Sequence, residues 1–189
     1  MQDGTLTGGF DDAPVQSAHA FRAALSALAR PGRIEKIGGV AAPAPLSPAA
    51  ATLLLTLCDA ETPLFLAPGS DGPGICDWIA FHVGAPLVDR AGAMFALGRW
   101  QPLGPLTAFD HGTPEYPDRA ATLIVEVDTL ERRGARLTGP GIETEAHLAL
   151  PDVRALQDNH AQFPLGLDFY FTAGHEIAGL PRSTKVEVG

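Results

Sequence analysis

The residues with the greatest catalytic potential in this sequence are its histidines. The six histidines show no His-x-His or His-Glu-x-x-His spacing, the patterns that place two imidazoles on one metal ion. The densest group of candidate ligands is Asp110-His111, followed by Glu115 and Asp118 in a Gly- and Pro-rich stretch. A metal site and a solvated loop both fit this group, and the turn-forming composition favours the loop.

His82 is a second candidate, because it closes a helical pattern over residues 75–82. As a general base it would work with His111 and Asp118 in the loop site of a stand-alone small-molecule enzyme. A hydrogen-bonded histidine at a helix C-terminus is the simpler interpretation. The sequence therefore suggests this site without establishing a catalytic constellation.

Nucleophile patterns are weaker still. Cys76 lies early in the same helical pattern, where a helix N-terminus lowers a thiol pKa, but burial explains it without chemistry. Cys58 closes an apolar run, and two cysteines are too few for a disulfide framework. The five serines include no Gly-x-Ser-x-Gly elbow, and Ser47 before Pro48 is explained as a helix cap.

Phosphate-binding loops have little support. A Walker motif requires Gly-Lys-Ser/Thr, and neither Lys36 nor Lys185, the only lysines, follows a glycine. Gly139-Pro140-Gly141 fits a tight turn better than a nest of amides for an anion. The glycines at positions 69, 72 and 74 precede a helix N-terminus, where a turn is again favoured over an anion site.

The elements that must position these residues alternate between helix and strand. Helical periodicity covers residues 14–29, 48–57, 75–82 and 151–161. Strands are predicted at residues 34–37, 64–67, 93–97, 122–127, 136–138, 169–172 and 184–188, with 136–138 pairing beside 122–127. This alternation predicts an α/β fold, a three-layer α/β/α sandwich around a mostly parallel or mixed sheet of about seven strands.

Composition limits the class of protein. The 189 residues suit one domain, residues 1–189, in which the polar, Gly-rich residues 1–13 are expected to pack loosely. The net charge of −9 disfavours nucleic acid as a partner, although a local pocket can still hold a small anion. We expect neither a signal peptide nor a membrane span, and hence a cytoplasmic protein.

Several short motifs, in order along the chain, resemble the PhnH family of the bacterial carbon–phosphorus lyase system. They are Arg30-Pro31-Gly32, His82-Val83-Gly84-Ala85-Pro86-Leu87, Tyr116-Pro117-Asp118, Gly139-Pro140-Gly141-Ile142, Phe163-Pro164-Leu165-Gly166 and Leu180-Pro181-Arg182-Ser183-Thr184. Each motif alone is weak, whereas the ordered set covers nearly the whole chain.

The resemblance implies a fold similar to the large domain of pyridoxal-phosphate-dependent transferases, without the cofactor site. A Schiff base requires a lysine in a pocket, and neither Lys36 nor Lys185 is placed like one, so no cofactor is expected and a pyridoxal-phosphate-binding remnant is disfavoured. The resemblance further implies a subunit that works with PhnG, PhnI and PhnJ types. That machinery transfers an alkylphosphonate onto the ribose of ATP with loss of adenine. The subunit would be structural or assisting, and a homodimer when isolated is an open alternative.

Seven residues are candidate interface or anion contacts. Arg182, beside Pro181, suggests an intersubunit ion pair or a phosphate contact, and a plain surface arginine is the alternative. The others come from the same motifs: Arg30, His82, Tyr116, Asp118, Gly139 and Gly141.

Overall fold

The computed structural model describes residues 7–189, and residues 1–6 lie outside the described part. Within that part, five α-helices run over Ala13–Ala29 (α1), Pro48–Leu57 (α2), Pro73–His82 (α3), Trp100–Leu103 (α4) and Val153–His160 (α5). Nine strands run over Ile34–Lys36 (β1), Leu64–Leu66 (β2), Phe95–Arg99 (β3), Thr122–Glu126 (β4), Ala135–Thr138 (β5), Ala146–Leu148 (β6), Asp168–Ala173 (β7), Glu176–Leu180 (β8) and Lys185–Glu187 (β9). The α/β class is therefore confirmed.

Helix starts follow local sequence signals. The Ser47 hydroxyl accepts a hydrogen bond from the Ala50 N–H at 3.1 Å, and Pro48 occupies the first turn of α2, as predicted. The Asp152 carboxylate caps α5 in the same way, accepting from the Ala155 N–H at 3.0 Å.

The main sheet has six strands in the order β1-β8-β7-β4-β3-β2. Strands β2, β3, β4 and β7 pair in parallel, whereas β8 runs antiparallel to both β7 and β1. The carboxyl ends of the four parallel strands, at Leu66, Arg99, Glu126 and Ala173, therefore meet at one edge of the sheet. We refer to this as the carboxyl edge.

Helices α1, α2 and α3 cover the first face of the main sheet. Leu97, Ile124 and Tyr170, from adjacent parallel strands, point into this core. The Tyr170 hydroxyl donates to the Ala24 carbonyl of α1 at 3.2 Å, and burial raises the pKa of this phenol well above its ordinary value. The all-round hydrophobicity of α2 follows from its position, since residues on several of its sides are fully buried.

The second face carries a small three-stranded sheet, in the order β6-β5-β9, together with α5. Phe169 and Phe171 of β7 stack on this side with ring centroids 6.1 Å apart, among buried residues of the small sheet such as Leu137. The outer layer on this face is thus mixed, where an all-helical layer was predicted.

The predicted pairing of β5 beside β4 is wrong, because β5 pairs with β6 and β9. Buried Ala135 and Leu137 alternate along β5 with half-buried Arg136 and Thr138, as in a sheet with one exposed face. A central strand would be buried on both faces.

Two strands were missed, which is why nine are found against about seven predicted. β8 contains Gly179, which weakens the strand pattern. A Cβ at this position would lie 2.6 Å from the backbone of Ala27, so the glycine lets α1 pack directly on the sheet. β6 is only three residues long and is half-exposed at Ala146 and His147.

The chain before α1 is partly described. Residues 1–13 were expected to pack loosely, and positions 1–6 of this stretch lie outside the described residues. Within the described part, Phe10 packs against the first-face core, and Ala13 already belongs to α1. No helix in residues 7–189 has the length and apolar character to cross a membrane.

Candidate functional site

Arg182 follows β8, and its guanidinium is held within the chain. Its Nη2 and Nε donate to the Asp168 carboxylate at 2.6 and 3.2 Å, and its Nη1 donates to the Pro117 carbonyl at 2.5 Å. The Arg182 side chain is 12% exposed. The Arg182 guanidinium thus joins the start of β7, through Asp168, to the loop before β4, through Pro117. The sequence suggested a sister subunit or a phosphate as its partner.

Tyr116 and Asp118 lie in that loop. The Arg119 guanidinium stacks 4.0 Å from the centroid of the Tyr116 ring, which is half-exposed. Asp118 is exposed in a single 3-10 turn, Pro117–Arg119. The loop is anchored ahead of β4 by Arg182.

The two histidines of the alternative loop site lie on opposite faces of the main sheet. His82 contacts Trp78 of the first-face core, with ring centroids 5.1 Å apart. His111 Nε2 lies 3.0 Å from the carbonyl oxygen of Leu106, which packs against the second-face core. The structure therefore does not bring His82 together with His111 and Asp118.

A surface cavity does bring together two of the predicted contact residues, Arg30 and Gly141. It has a volume of about 510 Å³ and lies between the end of α1 and the segment that joins β5 to β6. Arg33, Arg132 and His147 also line it. We call this cavity the arginine cavity.

The Gly139–Gly141 turn shapes one wall of the arginine cavity. The Ile142 N–H donates to the Gly139 carbonyl at 3.2 Å, which confirms a tight turn. Gly141 has φ of +81°, and a Cβ there would collide with the Ala29 carbonyl at the end of α1. Gly141 therefore permits the close contact between this turn and α1.

The guanidiniums of the cavity are weakly engaged. Arg30 donates to the Ser26 hydroxyl at 3.4 Å, and Arg33 lies 3.8 Å from Glu35. The Arg132 side chain has no hydrogen bond or ion pair with any residue from 7 to 189. Three cations are thus available to a ligand on a chain whose overall charge is negative.

The carboxylates that line the cavity neutralise the positive charge of these arginines only in part. Glu143 and Glu145 line the rim. Glu145 is already bound by Arg136 at 2.7 Å, and this hydrogen bond holds the pKa of Glu145 below its usual value. Arginine forks of this kind match the oxygens of phosphate and phosphonate groups.

Comparison with known proteins decides the family. The family model for the bacterial phosphonate metabolism protein (PhnH) matches residues 8–187. The chain belongs to the PhnH family. The resemblance seen in the motifs is thereby confirmed over nearly the full described length.

Two named relatives agree with PhnH membership. One is the alpha-D-ribose 1-methylphosphonate 5-triphosphate synthase subunit PhnH of Rhizobium meliloti, which is 39% identical over 98% of both chains. The other carries the name "Putative C-P lyase subunit protein HtxG", from Stutzerimonas stutzeri, and is 30% identical over 89% of this chain and 85% of its own length.

The sequence analysis did not identify all the residues that line the arginine cavity of this PhnH-family chain. Arg33 follows the Arg30-Pro31-Gly32 motif, and its proximity to Arg30 was a usable signal. Arg132 and His147 come from the loop before β5 and from β6, and only the folded chain places them beside α1.

Proposed function

We propose that this chain is an assisting subunit of a carbon–phosphorus lyase assembly, the one that transfers an alkylphosphonate onto the ribose of ATP with loss of adenine. The observation that carries the proposal is the 39% identity, over 98% of both chains, to a subunit of ribose 1-methylphosphonate 5-triphosphate synthase. Its partners would be sister subunits of the PhnG, PhnI and PhnJ types, in the cytoplasm, with a homodimer as a form of the isolated protein.

An assisting role fits the arrangement of the candidate acid–base groups. His82 and His111 lie on opposite faces of the main sheet, so no general acid–base pair forms between them. Arg182 is engaged by Asp168 and stabilises the fold. The contribution of the chain would then be to bind and position, while a sister subunit supplies the reacting groups.

Within this role, the arginine cavity is the proposed contact for an anionic group of the substrate. Arg132 can turn to an incoming phosphate or phosphonate without giving up a partner in the described chain. Arg30 and Arg33 lie beside it with long contacts that a doubly charged oxygen group would outcompete.

The subunit role is tested by growth of a host that lacks its own PhnH-family gene, with methylphosphonate as the sole phosphorus source. This chain, co-expressed with its sister subunits, should restore growth and co-purify with them. Failure of both would contradict the subunit role.

The cavity is tested separately by titration with inorganic triphosphate. Arg132→Ala should weaken binding roughly three- to tenfold, the loss of one charge-assisted hydrogen bond at a partly exposed site. Arg133→Ala is the matched control, because Arg133 is the adjacent arginine and pairs with Glu131 away from the cavity. Equal affinities of the two variants would reject the cavity as the anion site.

A further inference from the structure

A second cleft, distinct from the arginine cavity, lies at the carboxyl edge of the main sheet. It has a volume of about 460 Å³ and is lined by residues that follow or end the four parallel strands. These include Ser70 after β2, Arg99 of β3, Glu126 of β4 and Gly174 after β7. Open α/β sheets bind their ligands at this edge, because the loops that leave parallel strands converge there.

Glu126 forms the polar floor of the cleft. Its Oε1 accepts from the Ser47 N–H at 2.7 Å, and its Oε2 accepts from the Thr172 hydroxyl at 3.0 Å. The carboxylate is half-buried and held in place from two elements. Because each carboxylate oxygen has two acceptor positions, both oxygens can accept one more hydrogen bond from a ligand.

Ser70 supplies an unused polar group beside this floor. The residue is 9% exposed, lines the cleft, and its hydroxyl has no hydrogen-bond partner among residues 7–189. The Ser70 oxygen is not one of the buried, unpaired polar atoms of the described chain, so it is open to the cleft and can meet a ligand there. Ser47 also lines the cleft, and since its oxygen accepts from Ala50, its own proton remains free to donate.

The charges of the cleft exclude an anion from its floor. Glu126 and Asp128 carry two negative charges, and Arg99 is bound to Asp128 at 2.7 Å at the exposed rim. The start of α2 offers no free amides, because Pro48 has none and the Ala49 N–H donates to the Gly174 carbonyl at 2.9 Å. The group that fits this floor is therefore a hydrogen-bond donor without negative charge.

The described residues also contain no group of three histidine, cysteine or carboxylate side chains that could hold a metal ion. A carboxylate flanked by hydroxyls instead matches a vicinal diol, whose two O–H groups both donate to one carboxylate. An acidic side chain plays this part toward ribose hydroxyls in dinucleotide-binding α/β sheets. Pro45 and Pro68 line the cleft as well and provide apolar surface for the sugar carbons.

We propose that the carboxyl-edge cleft binds the vicinal hydroxyls of a ribosyl group, with Glu126 as the acceptor and with Ser70 and Ser47 as additional hydroxyl partners. The choice of ribose among polyols rests on the proposed function, whereas the preference for a diol rests on the cleft itself. The proposal assigns the sugar to this cleft and leaves the anionic groups to other residues.

The test is calorimetric titration of the co-purified assembly, or of the isolated chain, with adenosine and with 2′,3′-dideoxyadenosine. Adenosine carries the diol and no phosphate, so the arginine cavity does not contribute. Binding of adenosine and at least tenfold weaker binding of the dideoxy compound are expected, because hydrogen bonds to a charged acceptor are lost. Equal binding of both compounds, or binding of neither, would overturn the proposal.

Two variants locate the site. Glu126→Gln keeps an oxygen for the Ser47 N–H but removes the charge, and it should weaken adenosine binding about tenfold. Ser70→Ala should weaken it roughly threefold and removes no side-chain hydrogen bond within residues 7–189. Glu131→Gln, an acid outside the cleft, is the control.

If both cleft variants bind adenosine as the control does, the site assignment is wrong. If the assembly forms and the host grows on methylphosphonate, but the assembly does not bind adenosine, the cleft proposal fails while the proposed function stands. If the isolated chain binds adenosine through Glu126 but does not assemble, the cleft assignment stands and the proposed function fails.

Discussion

Replacing Arg182 by alanine should destabilise the protein substantially, because it leaves a partly buried carboxylate without its main partner. Removing one member of a fully buried ion pair costs about 3–5 kcal/mol. Here the side chains of Arg182 and Asp168 are 12% and 23% exposed, so water screens part of the loss. Asp168 also keeps its hydrogen bond from the Arg182 backbone N–H at 2.8 Å. We therefore expect a loss of about 2 kcal/mol.

For a domain of this size, about 2 kcal/mol corresponds to a Tm lower by roughly 4–8 °C. Arg182→Lys keeps the charge but loses the bidentate hydrogen bonding to Asp168, so its Tm should fall about half as far. The matched control is Arg154→Ala, because the Arg154–Asp158 pair is 82% and 61% exposed and should contribute under about 0.5 kcal/mol.

The assay is thermal unfolding followed by circular dichroism, combined with limited trypsin digestion. Arg182 also binds the Pro117 carbonyl, so its loss should release the loop and speed cleavage after Arg119. If Arg182→Ala and Arg154→Ala shift Tm equally and the loop is cleaved at the wild-type rate, the structural role assigned to Arg182 is refuted.

Three further predictions concern other parts of the fold. Gly141→Ala should cost more than about 3 kcal/mol in chemical denaturation, since it adds a collision with α1 to an unfavourable positive φ. Burial, aided by the charge of a neighbouring aspartate, raises the pKa of the Cys58 thiol to about 12, so at pH 8 a disulfide reagent should label Cys76 while Cys58 reacts only after unfolding. The hydrogen bond from Arg136 holds the pKa of Glu145 below 4.5, so the stability from this pair is present above pH 4.5 and is lost as pH falls through the lowered native pKa. Arg136→Met should therefore flatten the fall of Tm below pH 4.5.

Each of these three predictions can be contradicted by a specific result. Gly174→Ala is the control for Gly141, because its φ is +56° but an added Cβ would meet no atom within 4 Å, and equal losses would reject the collision. Equal labelling rates of the two native thiols would contradict the burial of Cys58. An Arg136→Met profile parallel to that of the wild type would show that the carboxylate gains nothing from the guanidinium.

The sequence predicted best those elements whose local signals agree with their tertiary role. Ser47 and Pro48 mark the start of α2, and the β-branched, apolar residues 122–127 mark the central strand β4. β8 was missed because Gly179 serves the packing of α1, a requirement that local propensity does not express. The partners of β5 were wrong because strand pairing depends on contacts distant in sequence.

The candidate sites divide in the same way. Arg30 and Gly141 belong to short motifs and were identified, and the structure places them in one cavity. Arg182 was identified as important, but its partner Asp168 is 14 residues away and could not be paired from spacing. Glu126 lies inside a strand pattern and carries no motif, so its position at the carboxyl edge becomes visible only when the four parallel strands are aligned.

Native mass spectrometry of this chain, co-expressed with PhnG-, PhnI- and PhnJ-type sister subunits, shows whether it is a subunit of their assembly. We expect a complex of defined mass that contains this chain in fixed ratio to the other subunits. A spectrum in which the sister subunits assemble while this chain remains a free monomer or homodimer would contradict it.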